Sequence, residues 1–159
     1  MIAAAGMDDT LMNPYEAEWG ILRAHPLNLL LEGPAIATNA VLRLLQPHMP
    51  EPIRWLQPQQ ALTLPSEATG ALIVRDVTEL SGDDQTRLLD WIVRAGSQTQ
   101  IVSTTDRSLF ALVTQGLFDQ ALYYRLNLML LHIGSRNSRP MQSDDDQPAL
   151  SSDQSTSTP

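Results

Sequence analysis

Apolar residues in this chain come in short dense runs, each closed by a polar, Gly or Pro break. Leu27-Asn28-Leu29-Leu30-Leu31 stops at Glu32-Gly33-Pro34, the pattern of a buried strand entering a turn. Thr38 is placed to cap a helix over Asn39 to Leu45, with Val41, Leu42, Leu44 and Leu45 on its apolar side and Pro47 and Pro50 ending it. Ile53 to Leu56 reads as a short strand, and Gln57 to Thr69, with Pro58 and Pro65, as loop. Ala71-Leu72-Ile73-Val74 shows no polar alternation, as expected where both faces of a sheet are covered. Ser81-Gly82-Asp83-Asp84 then opens a helix to about Ala95. Ser81 or Asp83 would cap it, and Leu88, Leu89, Ile92 and Val93 are its expected buried side. Gln100 to Thr104 is a further strand. Two short helices, about Arg107–Thr114 and Phe118–Leu126, divide at Gly116, and Leu128 to Ile133 is the last strand.

Strands alternating with helices predict an α/β sheet with helical crossovers. Ligands of such sheets sit beyond the carboxyl ends of the strands. Those ends are Glu32-Gly33-Pro34, Arg75-Asp76 and Thr105-Asp106-Arg107. Residues 1–12 read as a flexible leader, 13–133 as one α/β core, and 134–159 as a disordered acidic Ser/Asp/Pro-rich tail.

Composition narrows the chemistry. The 159 residues carry a formal charge of −8, which argues against a general nucleic-acid backbone binder. All 10 basic residues are Arg, so Schiff-base chemistry and a phosphate-loop lysine are excluded. With no Cys, disulfides, thiol nucleophiles and thiolate metal sites are excluded too. His25, His48 and His132 form no close ligand pair, so no metal site is expected. The N-terminus lacks a basic region and an apolar run of signal-peptide length, and no run reaches the ~20 residues of a membrane span. A cytoplasmic protein with no membrane contact is the expectation.

Gly70 to Leu80, GALIVRDVTEL, resembles the Walker B region of the sigma-54-dependent transcription activators, a bacterial AAA+ ATPase family. Ile101 to Leu128, IVSTTDRSLFALVTQGLFDQALYYRLNL, resembles that family's sensor and arginine-finger region, most specifically at Leu122–Asn127. The resemblance covers roughly Leu27 to Ile133 and is weak between Gln46 and Thr69. It implies a three-layer P-loop NTPase-like AAA+ core. It also implies a Gly-rich loop after the first strand, whose free N–H groups and lysine hold a nucleotide.

The implied site is degenerate. Gly33 alone remains of the loop's glycines; Ile36 and Thr38 take glycine positions, Asn39 the lysine position and Ala40 the Thr, Ser or Glu position. Pro34 removes an N–H donor. Arg75 and Asp76 stand where the family has the Mg²⁺-orienting Asp and the water-activating Glu. The expected partner of Arg75 is Asp76 or another strand-end acid. Thr105-Asp106 replaces Thr-Asn at the sensor, and Asp119 replaces the first finger arginine, whereas Arg125 remains. Only 35 residues separate Asn39 from Arg75, without the GAFTGA loop that touches sigma factor. The resemblance further implies a helical lid and, in full-length members, a DNA-binding domain. Neither is expected in this chain.

The resulting expectation is a non-catalytic, sigma-54 activator-like core with no cofactor and no metal. It would act through protein contacts in regulating transcription or signalling. Its partner would be an AAA+ relative or a transcription component, with no direct contact to nucleic acid. The trans-acting or interface candidates are Phe118, Tyr123, Tyr124 and Arg125, the aromatics serving as anchors if exposed. One alternative is an ATP-binding sensor that does not hydrolyse, which requires Arg75, Arg107 and Arg125 to converge near Gly33. The other is an ATP-dependent activator of sigma-54 transcription.

Overall fold

The computed structural model describes residues 16–58 and 61–134, so the expected leader and all of the expected tail beyond Gly134 lie outside the described residues. Its strands are β1 (Leu29–Glu32), β2 (Ile53–Leu56), β3 (Ala71–Val74), β4 (Gln100–Thr105) and β5 (Met129–His132). They form one sheet in the order β2-β3-β4-β1-β5. Every neighbouring pair is parallel. The helices are α1 (Glu16–Ala24), α2 (Ala35–Leu45), α3 (Gly82–Ala95), α4 (Leu109–Thr114) and α5 (Gln120–Leu126).

Two apolar layers enclose the sheet. On one face Leu29, Leu31, Ile73, Val102 and Leu131 meet Trp19 and Leu22 of α1 and Val41, Leu42 and Leu45 of α2. On the other, Leu30, Leu72, Val74 and Ile101 meet Leu88, Trp91 and Ile92 of α3, Leu109 of α4, and Leu122, Tyr123 and Leu126 of α5. The central strands therefore lack polar alternation, Gln100 being the one large polar residue of β4. All four residues of β3 and all six of β4 are buried. The result is a three-layer α/β fold.

Several local expectations change. Helix α2 starts at Ala35, not Asn39, with Pro34 as its first flanking residue. Proline's fixed φ suits that position, and the missing N–H would have no intrahelical partner there anyway. Thr38 is thus inside the helix, its hydroxyl donating to the Ala35 carbonyl at 3.2 Å. On α3, Ser81 is the cap, accepting from the Asp84 N–H. The buried side of that helix is Gln85, Leu88, Trp91 and Ile92; Leu89 is half-buried and Val93 is 56% exposed. Helix α1 was not expected as an element, yet Trp19 and Leu22 close the α2 face.

The β2–β3 connection contains no helix among its described residues. Its apolar role falls to Leu62 and Leu64, which pack on the α3 layer. The Trp91 indole N–H donates to the Pro65 carbonyl at 2.7 Å and Arg87 donates to the Leu62 carbonyl at 3.0 Å, tying the loop to α3. Gln85 holds the other end of that layer. Its amide donates to the Leu80 carbonyl, and its oxygen accepts the Asp119 N–H at 2.8 Å. A buried amide so engaged fixes the start of α5.

Burial separates two positions that the periodicity treats alike. Leu72→Ala is expected to lower unfolding free energy by about 2–5 kcal/mol, because the cavity lies between covered layers. Val93→Ala is expected to stay within about 0.5 kcal/mol. Urea denaturation of both variants checks the assignment.

Candidate functional site

The strand ends expected to carry chemistry, Gly33, Arg75-Asp76 and Asp106, do come together along one edge of the sheet. Glu32 pairs with Thr105 on one side and with His132 on the other. Only Gly33 and Pro34 separate β1 from α2. Within Gly33 to Ala40, the stretch that the resemblance matches to the family's phosphate loop, Ala35 to Thr38 form the first turn of a helix.

Two of the backbone N–H groups at this turn are answered from within the sheet. The Gly33 N–H donates to the Thr105 carbonyl at 2.9 Å, and the Ile133 N–H donates to the Glu32 carbonyl at 2.7 Å. A side chain at Gly33 would run into the Ile133 carbonyl, so the backbone leaving β5 lies directly against the turn. A cradle needs several N–H groups converging on one concavity. Here Gly33 has spent its N–H and Pro34 has none. Ile36 points out, 88% exposed.

Asn39 and Arg75 meet. A guanidinium Nη2 donates to the Asn39 side-chain oxygen at 3.0 Å. The expectation of an acidic partner for Arg75 is therefore corrected. No carboxylate among the described residues lies within 4.0 Å of that guanidinium. The physical reason is the early start of α2, which brings Asn39 over the end of β3. The two positions that the resemblance assigns to a lysine and to a metal-orienting acid form a direct contact, with the single cation now just past the end of β3.

Asp76 has φ 48°, the left-handed region, and its N–H donates to the Thr104 hydroxyl at 3.0 Å. Aspartate tolerates that conformation better than most residues. With Gln57, Pro58 and Arg75 it lines a cavity of about 160 Å³. Pockets for drug-sized ligands run from about 300 Å³ upward. A larger groove of about 660 Å³ lies elsewhere, between the β2–β3 loop and α3, lined by Pro65, Arg87, Trp91 and Arg94 among others.

The remaining candidates scatter. Asp106 is exposed, 3.7 Å from Arg107 Nε, and Arg107 also reaches Glu79 at 3.6 Å. The Arg125 carbonyl accepts from Asn28, just before β1, which puts Arg125 at the opposite end of the sheet from Gly33. The three arginines do not converge. Phe118 and Tyr123, expected as anchors if exposed, are buried at 4% and 8%, whereas Tyr124 is 58% exposed and Arg125 is exposed. The turn offers a nucleotide's phosphates neither a lysine nor a run of glycines. No described group of His, Asp and Glu is arranged to hold a metal ion, and no described helix is long and apolar enough to cross a membrane.

The contact between positions 39 and 75 can be tested as a coupled pair. Asn39→Lys sets two cations together and is expected to cost about 1 kcal/mol of stability. Adding Arg75→Asp is expected to restore it, giving a coupling of about 0.5–3 kcal/mol in a double-mutant cycle.

Comparison with known proteins supports the fold. The sequence profile of the sigma-54 interaction domain matches residues 36–135. Among solved structures, NtrX from Brucella abortus in complex with ATP superimposes with a TM-score of 0.66 at 16% identity, over 83% of this chain and 39% of that one. NtrX in complex with ADP gives 0.65 at 15%, over 84% and 37%. The P-loop NTPase domain of a sigma-54 activator from E. coli gives 0.58 at 18%, over 80% and 97%. At these identities the likeness is one of fold. The chain spans about two fifths of the length of the NtrX chains it matches. No curated protein matches the sequence.

Proposed function

We propose that this chain, which belongs to the sigma-54 interaction domain family, is a core that has given up ATP hydrolysis and acts through protein contacts. The observation behind this reading is the β1–α2 turn. Its phosphate-loop positions are helical, and its lysine and metal-acid positions are Asn39 and Arg75, hydrogen-bonded to each other. Hydrolysis needs a cation and a metal ion on the phosphates and a carboxylate placed on the attacking water. Arg75 repels Mg²⁺ where the family's acid would orient it. Asp76 is one methylene shorter than the family's Glu. Asp106 brings negative charge where a neutral donor serves better.

In this reading the family's regulatory role survives as binding. The partner is an AAA+ relative or a component of the transcription apparatus, in a soluble bacterial setting. The surviving surface is the exposed part of the Leu117–Arg125 segment.

A second reading, nucleotide binding without hydrolysis, draws on the comparisons more directly than the first does. Two of the similar structures are NtrX with ATP and with ADP. Arg75 would then meet a phosphate itself, in place of a metal ion. Activation of sigma-54 transcription by ATP hydrolysis, the remaining alternative, would need groups that this turn lacks.

Calorimetric titration of the purified chain with ATP and ADP, with and without Mg²⁺, to millimolar nucleotide discriminates the readings. No heat of binding is expected. A dissociation constant below about 100 μM, or some −5.5 kcal/mol, contradicts the contact-only reading. If that affinity needs no Mg²⁺ and disappears in Arg75→Ala, the sensor reading replaces it.

A further inference from the structure

Helices α1, α2, α3 and α5 each come before a strand, so their last turns lie at the edge where the strands begin. Each of those turns carries an arginine: Arg23, Arg43, Arg94 and Arg125. All four are exposed, as suits the negative end of a helix. Among the described residues none of the four guanidinium groups has a carboxylate within 4.0 Å, whereas Arg87 and Arg107, nearer the other edge, are paired with Asp84, Glu79 and Asp106. Exposed His25 and His48 follow α1 and α2. Acids gather instead at the carboxyl edge, at Asp76, Glu79, Asp83, Asp84, Asp106 and Asp119. The acids nearest the amino edge, Glu51, Glu67 and Asp90, lie toward β2, β3 and α3, away from α1 and Arg23. The fold is thus polarised, cationic where β1 begins and acidic where it ends.

Beside Arg23 a buried donor is left over. The Trp19 indole N–H, in a residue 3% exposed, has no hydrogen-bond partner among the described residues. Trp19, Arg23, His48 and Met49 help to line a cavity of about 10 Å³. That is about the room that one carboxylate oxygen or one water fills. A buried N–H without an acceptor, next to a guanidinium without an acid, is suited to an anionic oxygen.

The chain carries such an anion. Asp144, Asp145 and Asp146 are its longest run of one charge, and Arg136 and Arg139 come before them. Strand β5 ends at the carboxyl edge, where the Ile133 carbonyl lies against Gly33, so the chain beyond Gly134 sets out from the acidic end. Ten residues lead from Gly134 to Asp144, a reach of up to about 33–36 Å. The six residues of β4 make the sheet only about 20 Å high. Two Arg followed by three Asp is also the order of charge that a path from the acidic edge to the cationic edge would meet. We infer that Asp144–Asp146 dock on the amino edge of the same chain at Arg23 and His48, one carboxylate accepting from the Trp19 N–H. Docked there, the segment covers this edge, and another acidic partner reaches it only by displacement. The dock lies at the opposite end of the sheet from the β1–α2 turn and is independent of what that turn binds.

The chain has no Cys, so Ser143→Cys takes a single nitroxide label in the full chain, read through its relaxation of backbone amides. In dilute buffer the amide signals of Arg23, His25 and His48 should fall below about half of their intensity in the reduced sample, and they should recover at ~0.5 M salt, where exposed charges are screened. Amides of Gly33, Asp76 and Asp106 should lose less. Replacing Asp144, Asp145 and Asp146 together by Asn, or Arg23→Gln alone, should restore most of the lost intensity. The Trp19 indole resonance should move upfield in the Asn variant, as the loss of a hydrogen bond requires. Unchanged unfolding midpoints show that each variant still folds. Broadening centred on the carboxyl edge, broadening indifferent to both sets of substitutions, or broadening found only between a labelled chain and a second, isotope-labelled one would overturn the inference. Docking together with tight ATP binding would leave it standing and remove the contact-only reading.

Discussion

The carboxyl edge of a parallel sheet presents a row of backbone amides and carbonyls, and each must find a partner. In a nucleotide-binding sheet the loops there leave N–H groups free for phosphate oxygens. Here the chain itself supplies many of the partners. Thr105 takes the Gly33 N–H, Glu32 takes that of Ile133, and the Thr104 hydroxyl takes that of Asp76. Asn39 takes a hydrogen bond from Arg75. With those groups engaged, α2 runs back to Ala35 and the remaining turn is two residues long.

That closure leaves the rest of the fold intact. Both faces of β3 and β4 are covered, and the fold superimposes on those of NtrX and the E. coli activator domain. Packing and site chemistry are separable because they use different residues. The apolar layers need Leu, Ile and Val along the strands, whereas the edge chemistry depends on a few polar positions just past them. Changing Asn39 and Arg75 together exchanges one polar contact for another and disturbs neither layer.

The sequence made the layers legible wherever one signal dominated. Leu29 to Leu31, Ala71 to Val74 and Gln100 to Thr104 have no alternation, and covered parallel strands are the simplest cause. Ser81 before paired acids marked the start of α3. The start of α2 was misplaced because Thr38 is a good cap in isolation, and the weaker signal, Pro34 ahead of small apolar residues, was the one that governed. Val93 differs from Ile92 only by its place around the helix, and the true buried side includes Gln85, whose polarity hid it. Its role needs Leu80 and Asp119 in space. The Asn39–Arg75 contact is likewise invisible in the sequence, since 35 residues separate the two and an acid is the usual partner of a guanidinium. The division of Leu117–Arg125 into buried Phe118 and Tyr123 and exposed Tyr124 depended on packing against α3, which no local pattern reveals.

Closure of the β1–α2 turn is tested at the atoms concerned by backbone resonance assignment of residues 33–40 with and without millimolar ATP and Mg²⁺. A closed turn gives helical Cα shifts from Ala35 onward in the free protein, and amide resonances of Gly33 to Ala40 that do not move on adding nucleotide. Non-helical shifts over Ala35 to Thr38 that change together with large amide displacements on titration would show an open loop that takes phosphate, and would contradict it.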